Sequence, residues 1–490
     1  MQQLSSLDAQ SLSLESSTTT GHVGCLVLLD PSTAPGGLLS LDQLREVLEP
    51  RLHLVPLLRQ RLVDVPLGLG RPYWVDDPDF DVEFHLHEIA LPHPGEDDQL
   101  GEQVARIHAR PLDRSRPLWE MYLVHGVAGG HQALYSKVHH AAIDGVSGAE
   151  ALGIVLDATV EPRVEEPPED YWDPAPVPDP ITRFRRGVGA VVTAPVDTLR
   201  RLPGALPYLA DLPIVSSVPG VRTASQVAGS LLSLVVGGAE GQLLGRRTSV
   251  APPTPINARI TAHRRIAYGS LSLDGLKTVK NAFALTVNDV VMALCAGALR
   301  RWLLEHDGLP EEALVVAVPV SIRTDDHEGH GVQVSMMVAE LPTHLEGAAQ
   351  RLAAVHESMT AAAEQFEALP AVSLQDVTSA IPTVWAGLAA RAAFRAVTGG
   401  APQFNLFVSN VPGPQAPLYV GGARVLGVFP LSAITDTTGA LSITVFSYAG
   451  SLDIGLIACR ELVPDVGQLA DYLREALDEL LELVASDVGD

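Results

Sequence analysis

Cysteine is scarce in this chain: Cys25, Cys295 and Cys459 are the three in 490 residues. They are too few and too dispersed for a disulfide framework or a zinc site. Each sits in an apolar run where a buried thiol is ordinary, which points to a reducing compartment. Basic side chains are also in deficit, with 33 Lys and Arg against 58 Asp and Glu and a formal net charge of -25. A surface of that sign repels a phosphate backbone, so no nucleic acid partner is expected. Uninterrupted apolar runs of about twenty residues are missing, so no membrane-spanning helix is expected either. The opening MQQLSSLDAQSLSLESS has no positive n-region and no apolar h-region, and so does not resemble a secretory signal. No nucleotide loop, flavin motif, metal-ligand spacing or fixed-period repeat is apparent, and no cofactor is expected.

What is present is a globular composition. With 47% hydrophobic and 19% charged residues, the body of the chain can bury a core rather than stay disordered. Its 490 residues exceed what one core usually serves, so two domains of roughly 200 residues each are expected. The composition breaks between them. EEPPEDYWDPAPVPDP is acidic and proline-rich, a linker by composition. Beyond it, Arg183, Arg185, Arg186, Arg200 and Arg201 interleave with Phe184, Val188, Val191, Val192 and Leu199. That pattern suits either an anionic bilayer surface or a crossover whose arginines face solvent. The expected organisation is an N-terminal domain over 1–163, a linker and helical crossover over 164–255, and a C-terminal domain over 256–490.

Periodicity predicts an α/β mixture in both halves. Ser40 and Gln43 have capping-box spacing ahead of the apolar face Leu41, Leu44, Leu48 and Leu52. Val82, Phe84 and Leu86 alternate as in a strand, and Gly101 to Ile107 reads as helix. HQALYSKVHH alternates as a strand, after which Ser147 and Glu150 open a helix. In the second half, Thr286 and Asp289 form an N-cap pair before a buried helical face at Val287, Val290, Val291, Leu294 and Ala298. LVVAVPVSIRT and FNLFVSNVPGP read as strands, LSITVFSYAGSLDIGLIA as a strand pair around Gly450, and residues 465–484 as a closing amphipathic helix.

The chemistry concentrates in SKVHHAAIDGVSG, residues 136–148, on the expected strand-to-helix loop. Histidine is the side chain best suited to taking and returning a proton near neutral pH. Neighbours on an extended segment point in opposite directions, so one of His139 and His140 can face a cavity and the other is a structural neighbour. Asp144 can hold an imidazole tautomer, or pair with an arginine and lock the loop, and Gly145 frees the turn. Two structurally satisfied histidines are the plain alternative. Metal binding competes on residue type, but no further ligand recurs at a recognisable spacing.

HHAAIDG matches the HHxxxDG motif of the CoA-dependent acyltransferase superfamily, which peptide-synthetase condensation domains share. The blocks LSSLDAQSLSLES, GRPYWVDDPDFDVEFHLHEIALPHPG, PLDRSRPLWEMYLVHG, TVNDVVMALCAGALRRWL, VPVSIRT, VSNVPGP and LVPD appear in that order along the chain, the first three ahead of HHAAIDG. Together they resemble the bacterial wax ester synthase/acyl-CoA:diacylglycerol acyltransferase family over essentially the whole chain. The resemblance implies two chloramphenicol-acetyltransferase-like domains of α/β (α+β) class, with a substrate tunnel at their interface. It implies long-chain acyl transfer from acyl-CoA to diacylglycerol or a fatty alcohol, without an acyl-enzyme. His140 would be the general base, His139 its support, Asp144 and Gly145 the loop's structure and turn. Asn288 is the candidate oxyanion donor. Asp289, Arg323, Ser409 and Asn410 are candidates for binding substrate, and Arg323 is also the expected partner of Asp144. A cytoplasmic enzyme peripherally attached to the inner membrane face or to lipid droplets follows from such substrates, and a homodimer is allowed.

Ser11 stands where the family usually carries an aromatic residue, Val332 where asparagine is usual, and Cys459 where aspartate is common. None touches the histidine loop, so they bear on substrate preference and on catalytic strength rather than on whether the chain is active. Two other readings stay open: an acyltransferase with another hydroxyl or amine acceptor, and a catalytically weak lipid-binding protein of the same fold.

Overall fold

The computed structural model describes residues 2–5, 8–9, 12, 15–66, 71–142, 153–165, 251–322, 333–368, 404–436 and 438–487, with single positions at 174, 177 and 179 and the turn of helix at 181–185. Asp144, Gly145, Arg323, Ser11, Val332, the Ser147/Glu150 cap and most of the basic crossover lie outside these residues.

In chain order the strands and longer helices of the first half are β1 (Gln2–Gln3), β2 (His22–Asp30), α1 (Leu41–Leu48), β3 (Gln60–Val63), β4 (Tyr73–Asp76), β5 (Leu86–Ala90), α2 (Asp97–His108), β6 (Trp119–Val127) and β7 (His131–His139). The second half has β8 (Arg264–Ser272), α3 (Leu273–Ala282), α4 (Val287–Glu305), β9 (Leu314–Ile322), β10 (Gln333–Leu341) and α5 (Ala348–Ala368). It continues with β11 (Leu406–Val411), β12 (Tyr419–Val420), β13 (Ala423–Leu431), β14 (Leu441–Tyr448), β15 (Ser451–Cys459) and α6 (Val466–Asp487). The mixed α/β class expected from the periodicity is what the fold has.

Local signals held where side chains cap the backbone. Ser40 accepts from Gln43 N–H and Gln43 reaches back to the Ser40 N–H, starting α1. Thr286 and Asp289 do the same for α4. The alternation at Val82 and Phe84 misled: Asp81 accepts the N–H of Glu83 and draws Val82–Phe84 into a 3-10 turn, so the strand begins at Leu86. A short acidic side chain bonding the backbone two residues on outcompeted the strand.

Among the described residues the strands form three sheets, β1-β4-β3, β12-β13-β2-β7-β6-β5 and β10-β9-β11-β14-β15-β8. Strand β13 lies within the expected C-terminal domain yet pairs antiparallel with β2, from Arg424↔Asp30 to Leu431↔Gly24, and also packs on β14 and β15. It ties the second half of the chain to the first sheet.

That first sheet is buried on both faces. Along β2, Cys25, Val27 and Leu29 join Leu44, Leu48 and Leu52 on one side, while Leu26 joins Tyr135 and the core shared with the second half on the other. Helix α2 lies between the sheet and β8: a Cβ on Gly101 would stand 2.5 Å from the Ile266 carbonyl oxygen, so only glycine permits this approach. Tyr268 on β8 reaches across to Asp97 at 2.7 Å. The two halves therefore pack backbone to backbone on the face of the sheet that carries Tyr135, Lys137 and His139.

Candidate functional site

Strand β7 keeps its ladder to the end, with His139 opposite His22 on β2 and Val138 opposite Trp119 on β6. The His140 N–H still donates to the Gly21 carbonyl at 2.8 Å, and then His140–Ala142 turn off as a 3-10 segment. This end of the strand separates the neighbours. Tyr135, Lys137 and His139 share one face and are buried, whereas the His140 side chain remains exposed.

His139 is fully satisfied. The Ala141 N–H donates to its Nδ1 at 3.0 Å, so the ring proton sits on Nε2 and is donated to Glu15 Oε1 at 3.1 Å. Glu15 also accepts the Gly21 N–H at 2.6 Å and pairs with Arg114, whose guanidinium donates to the Leu12 carbonyl at 3.0 Å as well. Burial works against the Glu15 carboxylate, but these donors outweigh it and hold its pKa at about 2. One carboxylate thus fixes the tautomer of His139 and the backbone of Gly21, whose carbonyl in turn holds His140.

Glu15 is the residue of this histidine site that sequence reasoning missed. It lies in LSLESS, and no local spacing connects it to a histidine 124 residues away.

His140 has a different environment. Although part of its surface is exposed, the protein packed around the ring desolvates it and lowers its pKa; Asp8 opposes this and the neighbouring His139 adds to it. A ring so placed is neutral near pH 7 and keeps an exposed surface, the state a proton acceptor needs. A cavity of about 160 Å³ adjoins the turn, lined in part by Leu4, Asp8, Leu57, Arg71, Trp74 and Ala141.

Beneath the histidines lies a buried polar layer. Lys137 Nζ donates to the carbonyls of Ile107 (3.2 Å) and Arg110 (3.0 Å) and pairs with Glu120 at 3.1 Å, tying down the end of α2. His22 donates to the His108 carbonyl, and burial holds its pKa down at about 3. His108 Nδ1 meets the Tyr135 hydroxyl at 2.7 Å. These groups are mutually satisfied and support the strand.

The candidates from the second half form their own cluster. Asn410, near the end of β11, donates its amide to Asn288 Oδ1 at 3.3 Å in the first turn of α4, which leaves the Asn288 NH₂ for another acceptor. The Asp289 carboxylate is turned to the Thr286 N–H at 3.0 Å and to His356 at 3.1 Å. Ser409 is buried beside Asn410 on β11. No hydrogen bond among the described residues links either histidine to this cluster. Cys459 is buried at the end of β15 and its Sγ accepts the Thr261 N–H at 3.4 Å. Among the described residues no group of three or more His, Cys, Asp or Glu is placed to hold a metal ion.

Among the described residues no single helix is long and apolar enough to cross a membrane. The bent pair α3 and α4 passes on length and composition, but α4 is buried along most of its length as a core helix.

Comparison with known proteins agrees with this architecture. The wax ester synthase/diacylglycerol acyltransferase catalytic domain matches residues 4–291, and the C-terminal domain of that family matches residues 330–481. A putative diacylglycerol O-acyltransferase of Mycobacterium tuberculosis is 37% identical over 486 residues, 98% of this chain and 90% of that protein. A probable diacylglycerol O-acyltransferase of the same species is 34% identical over 481 residues, 97% of this chain and 98% of its own. Among solved structures, the wax ester synthase/diacylglycerol acyltransferase of Marinobacter aquaeolei VT8 superposes with a TM-score of 0.67 at 30% identity, over 99% of this chain and 100% of that one. The first condensation domain of the calcium-dependent antibiotic synthetase shares the fold, at a TM-score of 0.51 and 18% identity over 99% of this chain and 96% of its own. The chain belongs to the wax ester synthase/diacylglycerol acyltransferase family of acyltransferases.

Proposed function

We propose that the protein transfers a long-chain acyl group from acyl-CoA to the hydroxyl of diacylglycerol or a fatty alcohol, with His140 as general base. The observation that carries this reading is the division of labour between the two histidines: His139 is spent on Glu15 and Ala141, while His140 is exposed, held by its backbone and biased toward its neutral form. In the reaction an imidazole nitrogen of His140 takes the acceptor's hydroxyl proton as that oxygen attacks the thioester carbonyl carbon. The Asn288 NH₂, oriented by Asn410, is the proposed donor to the oxyanion that forms. Collapse breaks the C–S bond, His140 returns its proton to the CoA thiolate, and ester and free CoA leave. No covalent enzyme intermediate and no cofactor is required. The named activity of the relatives, diacylglycerol O-acyl transfer, supports this choice of acceptor. A lipid acceptor is collected from a membrane or droplet surface, for which the basic, apolar sequence from Arg183 onward is suited.

The test is release of CoA thiol from palmitoyl-CoA by the purified protein, with dioleoylglycerol or hexadecanol as acceptor, for wild type, His140→Ala and Asn288→Ala. Acceptor-dependent release that collapses in His140→Ala and falls about a hundredfold in Asn288→Ala is expected. Release that His140→Ala leaves unchanged would remove the general-base reading. Release that neither acceptor stimulates would point to a different acceptor or to a binding role.

A further inference from the structure

The turn that holds the histidines is itself held from the other half of the molecule. Residues 15–21 form a compact loop: the Ser16 N–H donates to the Thr19 carbonyl at 2.9 Å, and Ser16 Oγ accepts the N–H groups of Thr18 and Thr19, both at 3.2 Å. The loop closes where Glu15 takes the Gly21 N–H. At its tip the Thr18 carbonyl points toward β8, and Arg264 Nη2 donates to it at 2.6 Å. Arg264 is buried, at 6% exposure. Its Nη1 is spent on the carbonyls of Thr261 (2.5 Å) and His263 (3.1 Å), so the guanidinium is locked on the segment leading into its own strand before it reaches across. A planar, multiply bonded guanidinium sets a carbonyl position more sharply than a flexible ammonium does.

We propose that Arg264 is a positioning residue of the acyl-transfer site, through which the C-terminal half sets the geometry of the catalytic histidine. The path is short and continuous: Arg264 to the Thr18 carbonyl, along the loop to Glu15 and Gly21, from Glu15 to His139 and from Gly21 to the His140 N–H. Arg114 clamps the other oxygen of Glu15 from the N-terminal half, so the loop is gripped from both sides. Because this role acts on His140, it rests on the general-base reading above. It goes beyond that reading in making the site dependent on a bond between the halves. Arg264 touches neither substrate nor base, so its loss leaves binding of acyl-CoA in place and misaligns the base.

The experiment compares wild type with Arg264→Met, Arg264→Lys and Ser16→Ala, each confirmed folded by circular dichroism. Two readouts are taken. The first is kcat and KM for palmitoyl-CoA. The second is the rate at which diethyl pyrocarbonate modifies His140, followed by mass spectrometry without substrate. Arg264→Met is expected to lower kcat by about tenfold to a hundredfold, the usual consequence of a displaced catalytic group, with KM within about twofold. It is also expected to change the His140 modification rate severalfold, and Arg264→Lys, which keeps a donor, to recover part of both. If Arg264→Met does not fold, Ser16→Ala decides, since it loosens the same loop without touching the interface: a fall in kcat at constant KM supports the proposal. A folded Arg264→Met with wild-type kcat and modification rate overturns it, as does a Ser16→Ala variant with both unchanged. The modification rate keeps this question separate from the reaction: an unchanged rate rejects Arg264 even if His140 proves to be the base, and a changed rate stands even if the acceptor proves different.

Discussion

Glu15 and His139 lie 124 residues apart in sequence and 3.1 Å apart in the fold, with the Nε2 proton of His139 directed at the Glu15 carboxylate. The pairing leaves His139 no free nitrogen, because Nδ1 already accepts from Ala141. Replacing Glu15 by alanine frees the ring to rotate and also releases Gly21. Glu15→Ala is expected to lower kcat for acyl transfer by about tenfold to a hundredfold, and Glu15→Gln, which still accepts a hydrogen bond, by less. Thiol-release kinetics on both variants measure it, and equal activity for Glu15→Ala and wild type would dismiss the carboxylate's role.

Gly21 has no room for a side chain. A Cβ there would stand 2.7 Å from His139 Nε2 and 3.2 Å from Glu15 Oε1. Gly21→Ala therefore pushes the pair apart or displaces β2 at His22. We expect a folded protein with activity reduced about tenfold or more. Circular dichroism and turnover measured together check this, and full activity would show that the pair tolerates displacement.

The pH dependence follows from the direction of the His140 shift. Its pKa lies below the usual 6.5 because burial disfavours the imidazolium and His139 adds to that, against an opposing pull from Asp8. The base acts when neutral, so kcat/KM rises with pH through the pKa of the free enzyme, and the acid limb is expected below 6.5. Asp8→Asn removes the influence that raises the pKa and is expected to move the limb further down. An upward movement in that variant would contradict the assignment.

Asp453 provides a stability test away from the site. It is buried on β15, accepts from Ser270 Oγ at 2.7 Å and from the Val428 N–H at 2.7 Å, and so joins β15 to β13 and β8. Burial raises its pKa from 3.8 to about 6, in spite of those two donors. A folded pKa above the unfolded one gives stability that is present below about pH 4 and is lost as pH rises through about 6. Asp453→Asn lacks this titration. Relative to the variant, wild type is expected to lose roughly 2 kcal/mol between pH 4 and pH 7, read from urea unfolding at several pH values. Parallel curves for the two proteins would show that Asp453 does not titrate in this window.

Much of the fold was legible because its signals are local. Capping boxes at Ser40 and Thr286 act within one helical turn, and the runs that became β7, β9, β11, β14 and β15 carry their pattern in six to nine residues. The same locality misread Val82 and Phe84, where alternation was present but the Asp81 side chain bonded the backbone first. His139 and His140 were recognisable as a motif, and their opposite orientation followed from strand geometry.

By itself the sequence determined the α/β class, the main helix starts and the residue types of the histidine turn, since each depends on neighbours along the chain. Tertiary structure alone decided that His139 is the histidine held by Glu15, while the His140 backbone is held by Gly21 at the end of β7. It alone placed β13 in the first sheet and Arg264 against Thr18. The Glu15–His139 and Arg264–Thr18 hydrogen bonds join residues more than 100 positions apart, and bonds of that span leave no period, spacing or composition for a linear reading to detect.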